Sequence, residues 1–456
     1  MKIDVLVAEI GSTTTIVNAF NGIVKGEAEF LGQGQSKTTA EDGDVVEGLK
    51  KAIEDLKNKL KTNSLQYDEM FATSSAAGGL RMSVHGLVYD MTVKAAREAA
   101  LGAGANLKMI TAGKMRKSDM KKLKEINPNI ILIAGGVDYG ERDTAIHNAD
   151  LISGLELGIP VIYAGNIDNK EEIREIFNKG AKSTKLYLTE NVYPRIDELN
   201  VEAARIIIQD VFEEHIVNAP GMEKIKTMVD SKIIPTPGAV MEASKILKDE
   251  IGDLLAIDVG GATTDIHSVT CGSEDVNRIL LSPEPEAKRT VEGDMGVYVN
   301  MDNILEMIGE RGLKEIFGAD IEKLTSNYRF LPKNNREINF VEIMAEKAIS
   351  VALDRHSGNY RNVYGTSGRR KYAEGKDLTA VKFIIGTGGA LTRLPNGKKV
   401  IRKVLSRDIN EKLNPGKDVE ILIDEKYIMA SLGVLSKKYP DFAIKMLKKV
   451  LCDKLH

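Results

Sequence analysis

Val7-Ala8-Glu9-Ile10-Gly11-Ser12-Thr13-Thr14-Thr15 is answered in the second half of the chain by Ala256-Ile257-Asp258-Val259-Gly260-Gly261-Ala262-Thr263-Thr264-Asp265. Each stretch reads as a β-strand carrying an acid near its end, then glycine and a run of small, mostly hydroxyl residues. Glycine lets backbone N–H groups come close to an anion, and Ser and Thr hydroxyls add donors. The acid two residues before the glycine is placed to hold a cation, directly or through water. A single strand–Gly–Thr turn is common in hairpins. Two copies in one chain point to a duplicated domain whose halves grip a phosphate chain from opposite sides.

A third segment extends the pattern. Val381-Lys382-Phe383-Ile384-Ile385-Gly386-Thr387-Gly388-Gly389-Ala390-Leu391 is an apolar strand that stops at Gly-Thr-Gly-Gly-Ala, with Pro395 and Asn396 soon after. A glycine pair directly after a buried strand leaves room for a flat ring or a sugar against the backbone. A tight strand-to-helix turn explains this segment equally well when it is taken alone. The order of the three segments favours the ligand reading.

In that order they resemble the first phosphate, second phosphate and adenosine loops of the superfamily of actin, sugar kinases and heat-shock chaperone ATPases. Within it, Ala8–Thr15 together with Asp258–Asp265 is similar to the L component family encoded with coenzyme-B12-dependent glutamate mutase. The resemblance implies an α/β chain, a duplicated actin-like (ribonuclease-H-like) ATPase fold with an inserted parallel α/β domain. It implies ATP or ADP with Mg²⁺ as ligands and a coenzyme-B12-dependent mutase as partner. The implied role is that of a reactivating factor or chaperone driven by nucleotide-dependent domain motion. Residue by residue, it places phosphates on Gly11, Ser12, Thr13 and Thr14 and on Gly260, Gly261, Thr263 and Thr264. Adenosine would lie beside Gly386, Thr387, Gly388 and Gly389. Glu9 and Asp258 are the implied catalytic acids, holding Mg²⁺ mostly through its waters.

One departure bears on rate. Actin-like ATPases usually carry Asp in the first loop, where this chain has Glu9. The extra methylene displaces the carboxylate by about a bond length, enough to slow chemistry without preventing binding. A slow ATPase working by shape change tolerates that better than a fast metabolic kinase. The histidines (His85, His147, His215, His267, His356, His456) have no motif context, and His267, though near the second loop, reads as an ordinary strand residue.

Composition narrows the field. Lys and Arg number 63 against 66 Asp and Glu, a net charge of −3, which argues against nucleic acid as the main partner. Cys271 and Cys452 stand far apart without C-x-x-C spacing, so neither a disulfide framework nor an iron–sulfur site is expected. There is no Asp-x-His-x-x-Gly, so cobalamin binding by this chain is not predicted. The chain opens directly on a strand without a signal peptide, and no apolar run nears the ~20 residues that span a bilayer. A cytoplasmic protein without a membrane partner is expected; its oligomeric state is not legible.

Three segments are predicted: 1–115 as the first ATPase half, 116–217 as an inserted flavodoxin-like α/β domain, and 218–456 as the end of the first half plus the second half. Strands are expected near Asp4–Ala8, Thr15–Phe20 and Ile23–Leu31, the last two joined by an Asn21-Gly22 turn. Another at Met70–Gly79 runs into small residues. The insert shows strands at Asn129–Ala134, Pro160–Ala164 and Ser183–Leu188 alternating with helices, which means a parallel sheet. With Gly135-Gly136 at the carboxyl end of a strand, this unit either docks a mutase subunit or senses its cofactor, or it is a spacer whose glycines merely make turns. In the second half, strands are expected at Asp253–Asp258, Asp265–Val269 and Asn277–Leu281. Asn359–Lys376 reads as a mobile excursion, a lid, a partner-binding loop or a solvated loop, and Lys437–His456 as an amphipathic helix. Two other functions fit the same motifs: a small-molecule kinase, or a structural subunit that does not hydrolyse ATP.

Overall fold

The computed structural model describes residues 1–23, 26–39, 44–75, 80–180, 183–216, 221–318, 321–326, 328, 332–365, 368–407 and 411–452. The chain divides into two compact units, Met1–Val17 with Gly34–Gly238, and Asn18–Gln33 with Ala239–His456.

The strongly apolar N-terminal run forms β1 (Lys2–Ile10), in which Val5, Leu6, Val7 and Ala8 are all buried. It is followed by β2 (Thr14–Asn21), β3 (Glu29–Lys37) and β4 (Gln66–Ser74). The third strand starts later than the sequence suggests. Gly22 and Gly26 both take left-handed backbone angles, φ +84° and +75°, and they widen the connection beyond a two-residue Asn-Gly turn. The small residues 76–79 at the end of the expected Met70–Gly79 strand lie outside the described residues.

The parallel unit comprises β5 (Leu80–Gly86), β6 (Ala105–Ala112), β7 (Ile130–Ile133), β8 (Val161–Tyr163) and β9 (Leu186–Leu188). Its order is β6-β5-β7-β8-β9, every neighbouring pair parallel. Counted within the sheet this is 2-1-3-4-5, the flavodoxin order. Two of its strands precede residue 116, where the inserted segment was expected to begin. β5 sits between β6 and β7 and cannot be separated from them without breaking two ladders. The short β10 (Ile234–Pro235) returns to the first sheet, parallel to β4.

The second half builds β11 (Leu254–Val259), β12 (Thr264–Val269) and β13 (Ala287–Glu292), all antiparallel. After them come the two strands of a separate ribbon, β14 (Asn359–Gly365) and β15 (Gly368–Glu374), and then β16 (Phe383–Thr387) and β17 (Glu420–Ile423). The other two five-stranded sheets run β3-β2-β1-β4-β10 and β13-β12-β11-β16-β17. Numbered by appearance, both read 3-2-1-4-5. That repeated order is the duplicated ribonuclease-H-like arrangement, here with a parallel α/β sheet inserted in the first half.

Two expectations are corrected here. Asn277–Leu281 is not a strand: Ser273 caps a short helix, Glu274–Asn277, by accepting from the Val276 N–H. The third strand is β13 instead, whose Lys288 and Arg289 are buried because Glu284 and Asp265 pair with them. Lys288 is neutralised by Glu284 four residues before it, and Arg289 by Asp265 on the neighbouring strand β12. Asn359–Lys376 is not an irregular excursion but the antiparallel ribbon β14–β15. Helix Asn335–His356 starts where Asn334 accepts from the N–H groups of Arg336 and Glu337. It packs Phe340, Met344 and Ile349 into the same core as Leu255, Ile257 and Ile266. The expected C-terminal helix is helical over Pro440–Leu447, and residues 453–456 lie outside the described residues.

Candidate functional site

Asp258 lies near the carboxyl end of β11, flanked in register by Asp265 on β12 and Thr387 on β16. The chain then turns through Gly260–Thr263, closed by the Gly260 N–H donating to the Thr263 carbonyl at 2.9 Å. The segment after β13 lies on this turn and takes its carbonyls. Val297 N–H donates to Gly260 O, Tyr298 and Val299 N–H to Gly261 O, and the Asn300 side chain to Ala262 O. In a trans peptide the C=O and the next N–H point opposite ways. The N–H groups of Gly261, Ala262 and Thr263 are therefore turned away from those donors, an anion-binding orientation. Gly296 makes this contact possible, since a Cβ there would stand 2.2 Å from the Ala262 carbonyl carbon.

The first turn repeats the geometry. Gly11 N–H donates to Thr14 O at 3.0 Å. Thr38, just past β3, takes the carbonyls: its hydroxyl donates to Gly11 O at 2.8 Å and its N–H to Thr13 O at 3.0 Å. By the same reasoning the N–H groups of Ser12 and Thr14 face the other way. Glu9 is almost wholly buried at the end of β1, and the Ser12 hydroxyl donates to Ser75 O.

The third segment meets the second. Gly388 has φ +84°, and a Cβ on it would stand 2.4 Å from the Asp258 carboxylate and 2.5 Å from Val259 O. Only glycine lets the loop pass so close to Asp258. Gly389 follows, exposed, with open space around it. Gly386 is different: a Cβ there would strike Ile423, Ile401 and Leu391, so it serves packing. The Thr264 hydroxyl is also spent internally, donating to Met295 O at 2.7 Å. Asp258, Gly260, Gly261, Thr263, Thr387 and Gly388 are thus brought together within one unit.

Sequence reasoning missed the groups that hold these loops. Asp424, buried after β17, accepts from the Thr387 hydroxyl and from the N–H groups of Ile428 and Met429. Its own N–H donates to Gly386 O at 2.9 Å. Burial pushes its carboxyl above the usual range, against those hydrogen bonds. An acid between a strand and a helix start was the only signal available. Asp265 joins Thr263 to Arg289, accepting from the Thr263 hydroxyl at 3.1 Å and from Arg289 at 2.6 Å. Burial likewise raises the Glu292 carboxyl, which contacts Arg355. His267 finds no hydrogen-bond partner among the described residues, and burial holds it well below the ordinary histidine range, so it stays neutral.

At the inserted sheet, the glycine-rich end of β7 is filled by the protein's own side chains. Asp138 accepts from Ile167 N–H and from Asn191, while Asn166 accepts from Tyr139 N–H. A Cβ on Gly165 would stand 2.4 Å from Gly135 N, so these glycines let neighbouring strand ends approach.

Residues 5–451 match the MutL protein family, and the chain is 36% identical over 463 residues to Protein MutL of Clostridium tetanomorphum, covering 98% of each. The chain belongs to the MutL family. Solved structures resemble this MutL-family chain only distantly. Nucleotide-free acetone carboxylase gives a TM-score of 0.39 at 11% identity, over 95% of this chain and 70% of that one. Component A of the (R)-2-hydroxyglutaryl-CoA dehydratase of Acidaminococcus fermentans gives 0.31 at 9%, over 97% and 99%. Among the described residues no helix is long and apolar enough to cross a membrane.

Proposed function

We propose that this MutL-family chain is an ATP-using accessory component of coenzyme-B12-dependent glutamate mutase, a cytoplasmic reactivating factor or chaperone working by nucleotide-driven domain motion. The observation that carries this is the repeated turn. At both Gly11–Thr14 and Gly260–Thr263 the carbonyls are claimed from within, and the peptide N–H groups face the other way. Such N–H arrays suit the phosphates of a nucleotide. The hydroxyls of Thr13 and Thr14 supplement them, those of Ser12 and Thr263 being donated to Ser75 O and Asp265, and Thr387, Gly388 and Gly389 border the adenosine. Glu9 and Asp258 offer the hard oxygen ligands that suit Mg²⁺ holding several waters; the ion would neutralise phosphate charge. Hydrolysis by this set is slow, because Glu9 stands where actin-like ATPases usually carry the shorter Asp.

The test is calorimetric titration of Mg·ATP and Mg·ADP into the intact chain and its Asp258→Ala variant, followed by recovery of inactivated glutamate mutase with and without ATP. Micromolar binding lost in the variant, with ATP-dependent recovery, supports the proposal. Absence of binding by the intact chain overturns its ATP-using part, and binding without recovery overturns the reactivating role.

A further inference from the structure

The ribbon β14–β15 is absorbed by nothing proposed so far. Its stretch Asn359–Glu374 carries Arg361, Arg369, Arg370 and Lys371 against the single acid Glu374, in a chain whose net charge is −3. All four cations are exposed. The ribbon is a two-stranded sheet of its own, and a lone hairpin is marginally stable in water. This one is secured at its base. Ala373 exchanges backbone hydrogen bonds with Ile279 and Leu281, Tyr360 N–H donates to Glu411 O, and Ala373 packs with Val276 and Leu413.

Beyond the base, diagonal cross-strand contacts hold three of the four cations. Arg361 pairs with Glu374 at 2.6 Å, Arg369 donates to Asn362 at 2.9 Å, and the Lys371 ammonium sits 3.4 Å from the Tyr360 ring centroid. Arg370 has no side-chain partner among the described residues. A charged edge also discourages strands from pairing with it, which by itself explains some exposed charge. It does not explain why nearly all of it is one sign, or why three of the four cations are held in place.

We infer that this ribbon docks on an acidic face of a partner protein. A pre-ordered array loses little side-chain freedom on binding, and complementary charge speeds encounter and selects the partner. Arg and Tyr together are the residues enriched at protein interfaces. The chain lacks the basic surplus of a nucleic-acid-binding protein, its net charge being −3. Where the partner is taken to be the mutase, the inference rests on the function proposed above; the acidic-partner inference itself does not.

The experiment is surface plasmon resonance of the intact chain over three surfaces: glutamate mutase, poly-L-glutamate and single-stranded DNA. The variants are Arg369→Glu/Arg370→Glu and the neutral Arg369→Gln/Arg370→Gln, whose exposed positions put folding at little risk. The intact chain should bind mutase and polyglutamate better than DNA. Charge reversal should weaken both by about tenfold or more, and neutralisation by less. The interaction should also fade as salt rises to about 0.3 M. Loss of polyglutamate binding on reversal, without any mutase binding, supports the acidic-partner inference and overturns the mutase reading. Polyglutamate binding that is absent or within about twofold in the variant, or a preference for DNA, overturns the inference even if Mg·ATP binds.

Discussion

Arg289 donates from Nε at 2.9 Å and from Nη2 at 2.6 Å to the same oxygen of Asp265, and both side chains are almost wholly buried. The other oxygen of Asp265 accepts the Thr263 hydroxyl, so this ion pair reaches the second turn through one hydrogen bond. Removing one partner leaves the other charge stranded away from water. We expect Arg289→Met to lower the unfolding free energy by about 3–5 kcal/mol, and Arg289→Met/Asp265→Leu to recover much of that loss. Urea denaturation of the three proteins decides it. A single-variant loss under about 1 kcal/mol would mean that the pair behaves like an exposed one.

Gly388 and Gly389 are adjacent but should respond in opposite ways to alanine. At Gly388 the left-handed backbone and the 2.4 Å approach to Asp258 leave no room for a Cβ. Gly388→Ala should cost about 1–3 kcal/mol through strain and should also abolish Mg·ATP binding by displacing Asp258. Gly389→Ala meets open space and should stay within about 0.5 kcal/mol of the parent. Thermal unfolding and calorimetric titration of both variants test the contrast. Equal effects would contradict the described loop.

Acid should destabilise the protein through its buried histidines. His85 on β5 is fully buried between Thr111 and Ser83, and burial lowers its pKa from 6.5 to about 4. Folding thus holds it neutral while the unfolded chain takes up a proton. Its contribution is complete above pH 6.5 and is lost as pH falls toward about 4. The full loss is about 3 kcal/mol for this one group. Burial shifts His267 and His356 in the same direction. Unfolding free energy measured from pH 7 to pH 4.5 should fall, and less steeply in His85→Gln. An unchanged slope in that variant would remove His85 from the account.

Lys376 is buried, and its ammonium donates to three carbonyls, Thr270 O, Pro285 O and Glu286 O, at 2.7, 2.5 and 2.9 Å. Lys376→Met keeps the stem but leaves those carbonyls without this donor, at a cost of about 2–4 kcal/mol. Arg311→Ala removes an exposed helical pair with Glu315 and should change stability by less than about 0.5 kcal/mol. Chemical denaturation of the two variants side by side separates a buried cation from a solvated one.

The two phosphate-loop candidates were legible because everything that makes them is local: an apolar strand, an acid, a glycine and a threonine within a few residues. The same locality exposed the strands β7 and β8, whose apolar runs are bounded by glycine or proline. Readings failed where a residue's environment comes from elsewhere in the chain. The third strand was expected at Asn277–Leu281, whereas β13 carries the charged pair Lys288-Arg289 inside it. Arg289 is tolerable there because Asp265 on β12 pairs with it, and no periodicity reveals that. The ribbon β14–β15 was missed for the opposite reason, since glycine and charge hid an antiparallel register anchored at Ala373 by Ile279 and Leu281.

Local letters suffice to mark a duplicated α/β chain with two matching glycine–threonine turns, because backbone freedom and hydrophobic patterning act over a few residues. Only the tertiary structure decided what those turns present. Donors from Thr38 in one turn, and from Val297, Tyr298, Val299 and Asn300 in the other, claim the turn carbonyls and so orient the peptide N–H groups. Those donors are set by strands that pair across long stretches of chain, and a hydrogen bond made at such a distance leaves no mark on neighbouring letters.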